Sequence, residues 1–258
     1  MDISNASAVV TGGAGGFGSA TVRRLARMGA KVVIADVAEE RARALVDELD
    51  NGSVFVRTDI LDESAIEEAV AKAVSLAPLR AAVVVHAAPP SPVPGGRVVS
   101  REGRRLPVAN FAHLVSAYLT CAYAVTSYAA EAMAKNEPLA SNQRGVIINT
   151  ASIAGFEGQP GLVPYSAAKG GVIAMTLTLA RDLAPLGIRA MTIAPGTFLT
   201  RGYSATMTDE EAQAKWGPTI PNPKRMGDAE EYAMLAQQIV ENDFLNGTTI
   251  RLDGAQRF

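Results

Sequence analysis

Ala8-Val9-Val10-Thr11-Gly12-Gly13-Ala14-Gly15-Gly16-Phe17-Gly18 passes from an apolar triplet straight into a run of glycine. Beyond it, Ser19 to Met28 carries Val22, Leu25 and Ala26 at helical spacing, so the order is strand, tight turn, helix. Glycine permits the sharp turn and leaves backbone N–H groups at the helix head open to a close anion such as a pyrophosphate. Gly13, Gly15 and Gly18 also meet the G-x-G-x-x-G spacing in the strand-before, helix-after context that gives that spacing its meaning.

The same alternation continues outward. Lys31 to Ala35, Val54 to Val56, Ala82 to Val85, Val146 to Ile148 and Ala190 to Ile193 read as short buried strands. Between them lie helical stretches at Glu39 to Leu49, Leu114 to Met133 and Tyr165 to Leu183. Another is the stripe Ile66, Ala69, Val70, Ala73 and Val74. Near-continuous apolar strands separated by helices imply a doubly wound α/β fold whose parallel sheet is covered on both faces. Neither a linker nor a repeat divides residues 1–258, so one domain is expected. Two segments break the rhythm, Pro89 to Pro107 and Gly196 to Gly227. The second is expected to hold a substrate lid over 197–223. Within it Met207, Trp216 and Ile220 either wall the substrate or pack the lid down.

Composition narrows the class. The chain has 258 residues, 48% hydrophobic and 19% charged, with a net charge of −2, which fits a globular fold and suggests neither nucleic acid nor an anionic membrane as partner. One cysteine, Cys121, cannot close an intrachain disulfide and fits a reducing, cytoplasmic setting. It falls in an apolar helical stretch and reads as a buried small side chain. No targeting segment is visible, and the apolar run Val172 to Ala180 is too short to span a bilayer.

The chemistry concentrates at a few positions. Asp36 ends the second strand, eighteen residues after Gly18, where a carboxylate accepts hydrogen bonds from ribose hydroxyls and repels a 2′-phosphate; its other reading is a cap for the next helix. Asp59, after the third strand, is placed either to contact an adenine or to cap. Tyr165 and Lys169 stand four apart, one helical turn from each other on one face. A phenol ionises near pH 10, and a fixed ammonium beside it lowers that value toward neutrality. Ser152 lies thirteen positions before Tyr165, at the end of an apolar strand.

Taken together, these residues resemble the short-chain dehydrogenase/reductase superfamily over essentially the whole chain. Its T-G-x-x-x-G-x-G falls on Thr11, Gly12, Gly16 and Gly18, and its serine, tyrosine and lysine on Ser152, Tyr165 and Lys169. Its P-G-x-x-x-T falls on Pro195, Gly196 and Thr200. Gly145 to Ser152, Phe156-Glu157-Gly158-Gln159, Ala180 to Ala184, Phe244 to Gly247 and Ile250 to Gly254 look like the type 2 3-hydroxyacyl-CoA dehydrogenase branch. The resemblance implies a Rossmann-like domain with a mostly parallel seven-stranded sheet, NAD as cofactor, and interconversion of a 3-hydroxyacyl-CoA with its 3-oxo form. It implies catalysis by Ser152, Tyr165 and Lys169 and cofactor contacts that add Phe17, Ile60 and Ala88, and Gln159 lies close enough in sequence to the serine loop to contact substrate. No metal is implied, and a homotetramer is, through the long helices and the C-terminal segment.

Two positions depart from the pattern. His86-Ala87-Ala88-Pro89 stands where the superfamily reads N-x-A-G, and Tyr118 where it has a relay asparagine. His86 reads as a structural contact or an alternative proton handler, and His113 as structural. Tyr118 either holds a water or fills the relay cavity. Two other functions therefore stay open. One is a dehydrogenase of a steroid, polyol or other secondary alcohol, and the other a cofactor-binding module with weak activity. Arg97, Arg101, Arg104 and Arg105 are either a solvated charged loop or contacts for the phosphates of CoA.

Overall fold

A computed structural model describes residues 1–85, 96–200 and 207–257. Seven strands form one sheet: β1 Ser7–Thr11, β2 Lys31–Asp36, β3 Val54–Arg57, β4 Leu79–Val84, β5 Gly145–Thr150, β6 Ile188–Pro195 and β7 Thr249–Leu252. Their spatial order is β3-β2-β1-β4-β5-β6-β7. Each neighbouring pair is parallel, so the sheet expected to be mostly parallel is wholly so. The seventh strand has no apolar run of its own. As an edge strand paired only to β6, it alternates Thr249 and Arg251 with Ile250 and Leu252.

Period-2 alternation explains why the central strands read as unbroken hydrophobic runs. Val10, Ile34 and Ile148 face one layer, while Val9, Val33 and Ile147 face the other. The first layer is covered by α1 (Gly16–Arg27), α2 (Glu39–Leu49) and α8 (Ala229–Glu241). The second is covered by α3 (Glu63–Leu76), α5 (Cys121–Ala134) and α6 (Val163–Leu183). Cys121 is buried there, as its setting suggested.

The helix expected from Leu114 begins earlier, at Val108, behind Pro107, whose missing N–H is harmless at a helix start. This α4 (Val108–Val115) passes into a wide π turn, Ser116–Thr120, and then into α5. The run Val108–Ala134 has the length and apolarity to cross a membrane. Its buried residues, among them Ala122, Val125, Ala129 and Met133, pack on the sheet.

The segment expected to be irregular to Gly227 contains a helix, α7 (Asp209–Trp216). Thr208 and Glu211 close a capping box at its start, and Asp228 and Glu231 do the same for α8. Met207, Trp216 and Ile220 gather with Leu199, Ala212 and Met226 into a small core of their own. Their apolar surface holds this segment together, which decides between the two readings of the sequence. The far end of α8 is capped by Arg189 of β6, whose guanidinium donates to the carbonyls of Ile239, Val240 and Leu245.

Candidate active site

In a doubly wound sheet, ligands bind beyond the carboxyl ends of the strands, where the strand order reverses. Here that point lies between β1 and β4. The Thr11 hydroxyl bridges it, donating to the Val85 carbonyl at 3.0 Å. The candidate residues follow from connectivity: Gly12 follows β1, Asp36 ends β2, Asp59 follows β3, Ser152 follows β5 and Gly196 follows β6. Ala88 and His86 lie outside the described residues.

The glycine turn is forced by contact. A Cβ at Gly18 would overlap the Gly12 carbonyl, so no other residue fits without moving the turn. Gly15, at the N-cap of α1, offers no side chain to cap it, and the first turn of α1 holds no acidic residue, unlike α2 and α3. The N–H groups at the head of α1 thus face forward without an internal anion, which suits a phosphate. Thr200 closes the other side: a Cβ on Gly16 would stand 3.3 Å from its methyl carbon. Gly16 and Thr200, 184 positions apart in sequence, therefore lie against each other. These features fit a dinucleotide.

Asp36 is buried, and both its oxygens are engaged. Oδ2 accepts from the Ala14 N–H and Oδ1 from the Ala38 N–H, each at 2.9 Å. A carboxylate has about four acceptor positions, so room remains for a ribose hydroxyl. Asp59 does not cap the next helix, because Asp62 does; Asp59 Oδ1 instead accepts from the Leu61 N–H. Ile60 lines a cavity of about 530 Å³ between α3 and α5, with Ser116, Thr120 and Cys121. Phe17 stacks on Tyr232 at 4.5 Å and meets Phe198 edge-on at 5.0 Å, so its ring belongs to the packing beneath the loop. Pro195 is buried, and Gly196 lies against Asp253.

Ser152, Tyr165 and Lys169 are brought together by a close approach of two backbones. The turn after Ser152 crosses α6 at Gly155, where a Cβ would sit 2.9 Å from the Gly170 nitrogen and the Lys169 carbonyl carbon. Ser152 Oγ caps that turn by accepting from the Ala154 N–H at 3.1 Å. The Lys169 ammonium lies 5.7 Å from the centre of the Tyr165 ring and donates to the Thr150 carbonyl at 2.8 Å. Burial pushes the Lys169 ammonium down to about 7. Gln159 sits half-buried in the same loop.

Two places that the sequence left with two readings each take shape beside this site. The Tyr118 ring stands edge-on to Tyr165 at 5.0 Å and lies 5.0 Å from Lys169 Nζ. The arginine-rich segment folds back on itself through a Val99–Arg105 bridge, with Arg97, Arg101, Arg104 and Arg105 all exposed. Its base at Gly96 lies beside Gly161, within 3.9 Å of a Cβ placed there, and so next to the loop that carries Gln159.

The family model for short chain dehydrogenases matches residues 6–211. A 3-hydroxyacyl-CoA dehydrogenase type-2 from Homo sapiens is 43% identical, covering 97% of this chain and 94% of its own. The crystal structure of a 3-hydroxyacyl-CoA dehydrogenase type-2 from Mycobacterium avium superposes with a TM-score of 0.92. It is 45% identical and covers 98% of this chain and 96% of its own. An L-fucose dehydrogenase from Bos taurus is 32% identical, over 95% of this chain and 87% of its own.

The lysine makes a stability prediction. Its folded value near 7 lies below the unfolded one near 10.4, so the folded state binds fewer protons between these values and gains stability as pH rises through them. Below about pH 7 the buried charge is fully present and its cost is greatest. Lys169→Met is therefore expected to be at least as stable as wild type at pH 6.5 (about the lower edge of that window). The difference should shrink toward pH 10, as measured by urea unfolding at both ends.

Proposed function

The chain belongs to the short chain dehydrogenase family, and we propose that it interconverts a 3-hydroxyacyl-CoA and the matching 3-oxoacyl-CoA with NAD. The observation that carries the chemistry is the meeting of Tyr165, Lys169 and the Ser152 turn on one turn of α6. Tyr165 exchanges a proton with the substrate oxygen, the step that a phenol can perform near neutrality only beside a positive charge. Lys169 supplies that charge. Ser152 donates to the oxygen as it becomes a carbonyl. The nicotinamide, when bound, takes up or gives back the hydride. Gly12, Gly16, Gly18 and the head of α1 hold its phosphates, with Thr200 opposite.

NAD over NADP rests on Asp36. Its buried negative charge, fixed by two backbone N–H groups, leaves no neutral place for a 2′-phosphate. The acyl-CoA reading rests on the named relatives and on four exposed arginines in the segment whose base, at Gly96, lies beside Gly161. Their charge suits the phosphates of CoA at the mouth of the site.

The quaternary proposal is a homotetramer. α4 and α5 present Phe111 and Tyr123 outward, 38% and 58% exposed, beside the cavity between α3 and α5. A second copy covers this face, which removes the need for a membrane to do so.

The deciding experiment is a substrate panel with NAD and with NADP: 3-hydroxybutyryl-CoA, a hydroxysteroid, a sugar and a simple secondary alcohol. Turnover of the acyl-CoA with NAD is expected. Activity confined to the steroid or sugar would move the substrate class, and cofactor binding without turnover on the whole panel would overturn the enzyme reading. Tyr165→Phe should lower kcat at least about a thousandfold while leaving NAD affinity within about twofold. Replacing Arg104 and Arg105 together by alanine should raise KM for the acyl-CoA about threefold to tenfold and leave KM for a CoA-free alcohol unchanged. Sedimentation equilibrium should return the mass of four chains; a monomer would refute the proposed assembly.

A further inference from the structure

The π turn at Ser116–Thr120 is a local exception with a consequence at the site. The Cys121 N–H donates to the Ser116 carbonyl, one residue further back than in an α-helix. Adding one residue to a turn rotates the following face by about 100° relative to the preceding one. The helix keeps Leu114, Ala117, Cys121 and Ala122 buried while Tyr118 meets α6. Next to it, Leu119 is seated over Gly171 of α6, where a Cβ would collide with its methyl carbons.

Tyr118 therefore faces both working side chains at once. Its ring edge-packs on Tyr165 with planes at 89°, and its π system lies 5.0 Å from the Lys169 ammonium. An ammonium within about 6 Å of an aromatic centroid is attracted by the ring quadrupole, the more so when water is excluded. Lys169 is 2% exposed. The other titratable groups facing it among the described residues are Tyr165 on its own helix and Cys121 at the head of α5. Burial pushes the Cys121 thiol up to about 12, so it brings no charge. Tyr118 is pushed up as well, first by burial and then by Tyr165, and stays neutral.

We infer that Tyr118 is a positioning residue for the acid–base pair, its ring clamping the Lys169 ammonium against the Thr150 carbonyl and so keeping it charged beside Tyr165. The ring, not the phenol oxygen, does this. The inference rests on the dehydrogenase reading for its kinetic consequence but not for its electrostatic one. Losing the quadrupole lowers the lysine's proton affinity, which in turn weakens the field on Tyr165 and raises the pH at which its phenolate forms. For alcohol oxidation, the acid limb of the rate profile then moves to higher pH.

The test compares Tyr118→Phe, Tyr118→Leu and pentafluorophenylalanine at position 118. The last keeps the ring's bulk and inverts its quadrupole, so it answers the question if the leucine variant does not fold. Lysine labelled with ¹³C at Cε reports the Lys169 titration by NMR without any turnover. Phenylalanine should leave both that titration and the kinetic acid limb in place. Leucine and the fluorinated ring should lower the lysine titration and raise the acid limb by about one pH unit each. An unmoved lysine titration in the fluorinated protein overturns the clamp. So does a phenylalanine variant that behaves like leucine, which would assign the role to the hydroxyl. A wild-type protein that turns nothing over, yet shows the expected lysine shifts, upholds the clamp and refutes the dehydrogenase reading.

Discussion

Burying the ammonium of Lys169 is the constraint on which the rest of the site depends. A desolvated charge must be met by polar or polarisable partners or it is lost. The partner that fixes it is the carbonyl of Thr150, the last residue of β5. Thr150 is itself held in two further directions, donating its hydroxyl to the Val84 carbonyl and meeting the Tyr232 hydroxyl at 2.7 Å. Since the threonine proton goes to Val84, Tyr232 donates. Tyr232 in turn is stacked beneath Phe17. An unbroken series of contacts thus runs from the glycine turn through α8 and the end of β5 to the lysine. The glycine turn and the Tyr165–Lys169 pair are set by one packing arrangement, although they lie far apart in sequence.

Much of this was legible in the amino-acid order. Sheet strands buried on both faces leave an apolar run, and six of the seven could be read that way. The seventh could not, because β7 alternates Thr249 and Arg251 with Ile250 and Leu252, whereas the other edge strand, β3, keeps Val54, Phe55 and Val56 in a row. The helices α7 and α8 left a weaker signal that can be recognised afterwards. Thr208-x-x-Glu211 and Asp228-x-x-Glu231 are capping boxes standing in plain view ahead of each helix. Glycine and proline nearby, at Gly217-Pro218 and Pro221-Asn222-Pro223, give the segment the composition of a loop. The apolar residues Met207, Trp216 and Ile220 show the opposite difficulty: their type suggests a binding wall, and only the three-dimensional arrangement reveals that they satisfy one another.

For the site, spacing alone could place Tyr165 and Lys169 on one helical face, since that follows from 3.6 residues per turn. It could not bring Ser152 to them. That step depends on Gly155 and on how closely one backbone crosses another, which is a matter of absent atoms and leaves little pattern in a sequence. Nor could it show that the helix carrying Tyr118 widens by one residue. A π turn carries no residue pattern of its own in this stretch, and an ordinary α-helix would have aimed the residue elsewhere. What looked like a gap in a familiar arrangement is occupied by an aromatic ring in contact with both partners.

Asp36 shows how one side chain can join two parts of the fold. Read as a letter at the end of a strand, it was either a cap for the next helix or a cofactor-facing charge. Asp36 does not cap α2, whose N-cap is Ala38, but accepts from the N–H of that capping residue. One oxygen fixes the chain leading into α2 at Ala38, and the other pins the glycine turn at Ala14. Those two N–H groups give each oxygen of the buried carboxylate a partner. A neutral residue introduced to admit a 2′-phosphate would release the glycine turn together with the charge. The carboxylate proposed to select the dinucleotide and the shape of the glycine turn thus depend on the same two hydrogen bonds.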